Sequence, residues 1–279
     1  MALDPESVRR LARDALAEDA GGGDRTTLSV VPDGLRARAV VLAKQELVLA
    51  GLELARAVFD PLDPTLRWRP EGEDGQRFFP GTIAATLEGR ARALLTGERV
   101  ALNFLQRLSG VATLTRRFVD AVAGTRARIR DTRKTTPLLR AIEKYAVEVG
   151  GGTPHRSGLD SGILVKDNHV LLAGSVRQAT LRALAGAEGM AVEVEVQTLE
   201  ELEEALEAGA QMVLLDNFSA EDVAEAVRRT SGRVPLEASG GIRLENVREY
   251  AETGVDFIAV GALTHSAPAV DISLEVMPI

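Results

Sequence analysis

The sequence predicts an α/β protein, with a parallel α/β barrel following a smaller domain of mixed helix and strand. Three observations predict it. Beyond residue 126, short apolar runs alternate with amphipathic helical stretches at spacings of about twenty residues, the pattern of βα units in a parallel sheet. About six or seven such units favour a barrel over an open sheet. Residues 1 to about 95 have a different texture, in which two alternating stretches are separated by Pro61, Pro64, Pro70 and Pro80. The length, 279 residues of which 45% are apolar and 27% charged, lies within the range of an α/β barrel in an ordinary globular protein.

Asp4-Pro5-Glu6 starts a helix with a cap and an acidic first turn, and Val8, Leu11, Ala15 and Leu16 form its apolar side. Residues 36–49 and 82–95 alternate as strands, giving a small sheet with helices on one face. Residues 97–122 read as a helix with Val100, Phe104, Leu108 and Val111 spaced for burial, broken or bent at Ser109-Gly110. The barrel strands are then 127–130, 163–165, 192–196, 212–215, 235–238 and 257–260. Thr198-Leu199-Glu200-Glu201 is a capping box for a helix with the stripe Leu199, Leu202 and Leu206, ended by Gly209. Ser219 to Asp222 opens the next helix in the same manner, and Leu244 to Glu252 forms another.

The net charge of −8 argues against a nucleic-acid partner, since duplex binding leans on a basic face. No apolar run approaches the roughly 18 residues of a membrane span, and the charged stretch from Met1 to Asp14 offers no signal-peptide core. With no cysteine there are neither disulfides nor thiolate metal sites, so a cytoplasmic enzyme is expected. Residues 126–166 nevertheless hold nine basic and four acidic residues, a local balance of +5 that points to a focused anion site.

Barrels of this kind gather functional groups at the C-terminal ends of their strands. Here those ends read Asp131-Thr132-Arg133-Lys134, Lys166-Asp167, Glu195, Asp216-Asn217, Ser239-Gly240-Gly241 and Gly261-Ala262, with His155-Arg156 in the loop before the second strand. Arg133, Lys134, Arg156 and Lys166 are suited to surround an anion, arginine as a fork and lysine as a point charge. Any one alone reads most simply as a solvated surface charge; four at convergent positions do not. Glu195 and Asp216, at adjacent strand ends, are suited to Mg²⁺ directly or through water, to sugar hydroxyls, or to steadying positive charge on the sugar. Glu193 is as readily a structural ion-pair partner. The glycine loops Ser239-Gly240-Gly241 and Val260-Gly261-Ala262 can present backbone N–H groups to a phosphate. Gly21-Gly22-Gly23 lacks the Gly-Lys-Ser/Thr ending of a nucleotide loop, and His169 and His265 have no partner at zinc-ligand spacing. His155 adjoins Arg156 and can donate to a carboxylate.

The runs Asp131-Thr132-Arg133-Lys134-Thr135-Thr136-Pro137, Glu143-Lys144-Tyr145-Ala146-Val147, Gly150-Gly151-Gly152-Thr153-Pro154-His155-Arg156 and Ile163-Leu164-Val165-Lys166-Asp167-Asn168-His169 resemble the signature of the quinolinate phosphoribosyltransferases. Glu98-Arg99-Val100-Ala101-Leu102-Asn103-Phe104-Leu105-Gln106 resembles that family's interface helix, and Glu18-Asp19 through Asp24 its N-terminal motif. The resemblance implies an N-terminal α+β open-sandwich domain over residues 1–108 and an incomplete, TIM-like parallel α/β barrel over 109–266, with 267–279 packing back on the first. It implies quinolinate and phosphoribosyl pyrophosphate as substrates, Mg²⁺ with the donor and no organic cofactor. Thr132, Arg133, His155, Arg156 and Lys166 would bind quinolinate, joined by Arg99 from the neighbouring subunit of a homodimer; further assembly is left open. Lys134, Lys166, Glu195 and Asp216 would be catalytic, the two carboxylates also serving Mg²⁺. Ser239, Gly240, Gly241, Val260, Gly261 and Ala262 would hold the 5′-phosphate.

Three alternatives compete with decarboxylating phosphoribosyl transfer to quinolinate. A related barrel enzyme could use another aromatic carboxylate such as nicotinate, a non-catalytic barrel could merely bind phosphoribosyl ligands, and an aldolase could use Lys166 as a Schiff-base amine.

Overall fold

The structure is a computed structural model that describes residues 3–279; Met1 and Ala2, where the charged N-terminal stretch begins, lie outside the described residues. In chain order the elements begin α1 (Pro5–Ala20), α2 (Arg25–Val30), β1 (Arg36–Ala43), β2 (Leu47–Val48), α3 (Leu52–Phe59), β3 (Arg67–Pro70), β4 (Arg77–Phe78), β5 (Ile83–Arg90) and α4 (Ala91–Ala121). Next come β6 (Arg128–Arg130), α5 (Arg140–Val149), β7 (Ile163–Val165), α6 (Asp167–Ala173), α7 (Val176–Ala185), β8 (Val192–Val196) and α8 (Leu199–Glu207). The chain ends with β9 (Met212–Asp216), α9 (Ala220–Thr230), β10 (Leu236–Ser239), α10 (Val247–Glu252), β11 (Phe257–Ala259), α11 (Ala262–His265) and β12 (Ile272–Pro278). They form two compact units, one containing 3–116, 141–151 and 267–279, the other 117–140 and 152–266.

The first unit is built on an antiparallel sheet in the order β12-β1-β5-β3. Alternation drives it: Ala37, Ala39, Val41 and Ala43 of β1 are buried while the residues between them are more exposed. The stretch 36–49 is two strands rather than one, because the polar run Lys44-Gln45-Glu46 interrupts the alternation and β2 pairs separately with β4. Likewise 82–95 is not all strand. β5 stops at Arg90 and α4 begins at once, since Ala91-Arg92-Ala93-Leu94-Leu95 is made of strong helix formers.

The helix expected to break or bend at Ser109-Gly110 is assigned without interruption over 31 residues. Both residues serve close contacts instead. The Ser109 hydroxyl accepts from the Ala50 N–H at 3.0 Å, and a Cβ on Gly110 would lie 2.1 Å from the Pro268 carbonyl oxygen.

The second unit is a six-stranded parallel sheet in the order β6-β11-β10-β9-β8-β7, flanked by helices. Its first two strands in sequence are its two edges, and six strands stand where a full barrel has about eight. It is therefore an incomplete barrel. Pleat parity divides the strands: Val192, Val194 and Val196 face one way, Glu193 and Glu195 the other, and all five are buried. Caps start the helices between strands. The Thr198 hydroxyl accepts from Glu201 N–H at 3.1 Å, but the Glu201 carboxylate takes the Gln197 N–H at 2.7 Å, so the expected reciprocal box is only half formed. Ser219 caps α9 by accepting from Asp222 N–H. The helix expected from Leu244 starts at Val247, because the Asn246 side chain folds back on the Arg243 N–H in a turn.

Candidate active site

The pairing register places the charged strand residues on one face of the parallel sheet. Glu195 and Glu237 both pair with Leu214, and Ser239 pairs with Asp216. Counting by twos from these, Glu193, Glu195, Asp216, Glu237 and Ser239 share a face, with Asp216 and Ser239 one pleat nearer the C-terminal ends. Lys166, directly after β7, joins them through its ammonium, 2.5 Å from Glu195 Oε2. The Glu195 side chain is 8% exposed and that of Lys166 46%, so the carboxylate is fixed by its surroundings while the lysine reaches in from the rim.

The loop after β6 carries Thr132, Arg133 and Lys134. The Thr132 hydroxyl accepts from the Lys134 N–H at 3.1 Å, tightening the turn, and the Lys134 carbonyl accepts from the Thr264 hydroxyl at 2.8 Å. That bond ties the loop to α11. A Cβ on Gly261 would lie 3.4 Å from Lys134 Cδ and 3.1 Å from His265 Nε2, so Lys134 and the Val260-Gly261-Ala262 turn are immediate neighbours.

Arg133 and Arg156 form a second focus. Each has an Nε that is buried without a hydrogen-bond partner. Burial, and next the charge of Arg133, lower the proton affinity of Arg156 against the pull of Glu193. One Arg156 Nη donates to the Gly162 carbonyl at 2.8 Å. Two half-buried guanidiniums that repel each other and have N–H groups to spare are suited to an anion.

His155 is held from both sides. Its backbone N–H donates to the buried Asp131 carboxylate at 2.7 Å, its Nδ1 accepts from the Arg156 N–H at 2.7 Å, and its Nε2 lies 3.0 Å from Glu193 Oε2. His169 caps α6, its Nδ1 accepting from the Lys166 N–H.

The third focus is the glycine loop. Gly240 and Gly241 have φ of +96° and +62°, and Asn217 has φ of +59°. The Asn217 N–H donates to the Ser239 carbonyl at 2.8 Å and its side-chain amide to Asp216 Oδ2 at 2.9 Å. A tight turn of this kind leaves backbone N–H groups available to an anion such as phosphate.

All the sequence-predicted site residues of the barrel therefore stand at its C-terminal strand ends and adjoining loops. Arg99, an exposed residue of α4, belongs to the other unit. Three participants escaped sequence reading: Arg130, Glu237 and Thr264. Two of these had a faint signal: Glu237 is a charge between Leu236 and Ala238, two residues below the Ser239 strand end, and Arg130 alternates with Arg128 about the buried Ile129.

A half barrel that joins paired arginines to lysines, carboxylates and a left-handed glycine loop is suited to phosphorylated, carboxylate-bearing substrates. The family descriptions that match are the quinolinate phosphoribosyl transferase N-terminal domain over residues 24–109 and its C-terminal domain over 111–275. The chain is 45% identical to the nicotinate-nucleotide pyrophosphorylase [carboxylating] of Mycobacterium leprae, over 97% of each chain. It is 42% identical to a probable enzyme of that name from Bacillus subtilis, over 96% of this chain and 93% of that one. The crystal structure of NadC from Streptococcus pyogenes superposes with a TM-score of 0.96 at 39% identity, covering 100% of this chain and 99% of the other. This chain belongs to the quinolinate phosphoribosyltransferase family.

Proposed function

We propose that the protein transfers phosphoribosyl from phosphoribosyl pyrophosphate to quinolinate and removes one carboxylate, yielding nicotinate mononucleotide, pyrophosphate and carbon dioxide for NAD biosynthesis. The observation that carries this is the Arg133–Arg156 pair, whose buried, unpartnered Nε groups suit a rigid dianion beside a phosphate cradle. Thr132, His155 and Lys166 complete the quinolinate side, and Ser239, Gly240, Gly241, Val260, Gly261 and Ala262 hold the 5′-phosphate.

Departure of pyrophosphate leaves positive charge on the ribose C1 and ring oxygen, as in glycoside chemistry. Lys134 and Lys166 stabilise the departing oxygens, while Glu195 and Asp216 face the cationic sugar. The two carboxylates also fit Mg²⁺ by donor chemistry, oxygen ligands from one face of adjacent strands. Magnesium would hold there directly or through water and supply charge neutralisation of the pyrophosphate. The pyridine nitrogen forms the new bond to C1 as the C1–oxygen bond breaks. The ring, now cationic, accepts the electron pair of the adjacent carbon–carboxylate bond, carbon dioxide leaves, and a proton from solvent takes its place. The residues hold two anions together that would otherwise repel each other.

Purified protein supplied with both substrates and Mg²⁺ is expected to release carbon dioxide, pyrophosphate and nicotinate mononucleotide in equal amounts. Product from nicotinate instead of quinolinate, without carbon dioxide, would give the reading to the rival substrate; ligand binding without pyrophosphate would sink it.

A homodimer is part of the proposal, with Arg99 completing the neighbouring subunit's site, as is a cytoplasmic location. Among the described residues no helix is long and apolar enough to cross a membrane. Mixing Arg99→Ala and Lys166→Ala proteins, each nearly inactive, should restore up to about a quarter of wild-type activity, since half of randomly paired dimers regain one intact site. Subunit exchange confirmed by mass spectrometry with no recovered activity counts against sharing.

A further inference from the structure

We infer that Glu193 and Glu237, buried inside the barrel, are positioning residues: they set the tautomer of His155, and His155 in turn pins the backbone of the anion-binding Arg156. The inference rests on the reading of Arg156 as a ligand for a substrate carboxylate, and it deepens that reading by two residues that touch no substrate.

The geometry runs in one direction. Because His155 Nδ1 accepts from the Arg156 N–H, a neutral ring must carry its hydrogen on Nε2. Glu193 Oε2, 3.0 Å from Nε2, accepts that hydrogen, and Glu237 Oε1 stands 3.7 Å from the same nitrogen. The His155 side chain is only 9% exposed. A ring with its hydrogen on Nδ1, or protonated on both nitrogens, would set an N–H against the Arg156 N–H. Glu193 forbids the first by fixing the hydrogen on Nε2.

Charge counting explains why two carboxylates are present. Arg130 from β6 donates to Glu237 Oε2 at 2.5 Å, and its guanidinium carbon lies 4.6 Å from the centre of the Phe257 ring. From β9, Met212 meets the same guanidinium through its sulfur. The charged or titratable groups facing Glu237 are thus Arg130, Glu193 and His155. With His155 neutral, two carboxylates against one guanidinium leave an excess negative charge where Glu193 is 6% and Glu237 0% exposed. A proton on Glu237 removes it. Burial, and then Glu193, push Glu237 up to about 7, against the opposing charge of Arg130. Glu193 and Glu237 each keep one carboxylate oxygen buried without a hydrogen-bond partner. His155, Glu193 and Glu237 also offer ligand atoms within 4.8 Å of one another, but Arg130 already supplies the cation a metal would bring.

Four measurements test this. Glu193→Gln and Glu237→Gln each leave Arg130 matched by one carboxylate, so the KM for quinolinate should stay within about threefold of wild type. The double variant leaves Arg130 unmatched and His155 without an anionic acceptor; the KM for quinolinate should rise about tenfold or more while that for phosphoribosyl pyrophosphate moves less than about twofold. Additive small effects, or equal rises in both KM values, would overturn the inference. Should the double variant not fold, the pH profile decides. The wild-type KM for quinolinate should climb above about pH 7 as Glu237 ionises beneath the arginines, and Glu237→Gln should flatten the climb; identical profiles overturn it. Nitrogen chemical shifts of His155 in the intact protein report the hydrogen on Nε2 whether or not the enzyme acts on quinolinate, so a failed activity assay and a failed positioning role are distinguishable. Hydrogen on Nδ1, or a stoichiometric metal found by elemental analysis and lost in Glu237→Gln, would refute it.

Discussion

Replacing Lys166 with alanine is expected to lower kcat/KM by on the order of a thousandfold, the effect of deleting one preorganised donor at a centre of developing charge. Lys166 is placed to do this because its ammonium reaches Glu195 from the rim, 2.5 Å away, at the end of the strand next to the one bearing Asp216. On the proposed reading the cation would stand between a carboxylate suited to the sugar and the anions of both substrates. Lys166→Arg keeps the charge but spreads it over a planar fork, and should recover only part of the loss. Folding should be little affected, since an exposed lysine contributes modestly to stability. Steady-state kinetics with both substrates and a thermal melt check this together. A melt shifted as far as a core variant's, with kcat within about tenfold of wild type, would make Lys166 a structural rather than a chemical residue.

Lys166 and its neighbours on the rim are legible in the sequence alone, and the reason is physical. Lys166 and Asp216 end short apolar runs, Glu195 alternates with the valines of β8 and Arg133 and Lys134 follow β6, and a parallel βα repeat carries strand ends to one rim whatever the curvature of the sheet. Helix starts were legible for a similar reason: Thr198 and Ser219 satisfy backbone N–H groups within a few residues of themselves, so no tertiary knowledge is needed.

Arg130 and Glu237 were less legible. In three- and four-residue strands a charge at alternate positions reads as a solvent face, and only closure of the sheet turns that face inward. The start of α4 was hidden because Ala91 to Leu95 satisfies alternation and helix propensity equally, with the choice made by packing. Ser109 and Gly110 do not break α4. Their small size serves close approach by Ala50 and Pro268, distant in sequence, and a rule about helix breakers contains no such neighbour.

The glycine loop offers the sharpest separation of shape from chemistry. A Cβ on Gly240 would lie 2.1 Å from Asn217 Oδ1, 2.6 Å from its Cγ and 2.9 Å from its backbone nitrogen. The side-chain amide can swing away, but the nitrogen cannot, because its N–H is donated to the Ser239 carbonyl at 2.8 Å. At φ +96° an alanine is strained in addition. Gly240→Ala should therefore push the Ser239 and Asn217 backbones apart, lower stability by roughly 2–4 kcal/mol and raise the dissociation constant for phosphoribosyl pyrophosphate by about a hundredfold. Gly241→Ala is the matched control. Its φ of +62° is also left-handed, yet a Cβ there meets no atom within 4 Å. It should cost only the left-handed penalty, roughly 1–2 kcal/mol. Denaturant melts of both variants, with calorimetric titration of the donor, measure the difference. If the two alanines destabilise equally, the Asn217 contact is not what holds the loop. If Gly240→Ala is destabilised but binds the donor as tightly as wild type, the cradle lies elsewhere on the rim.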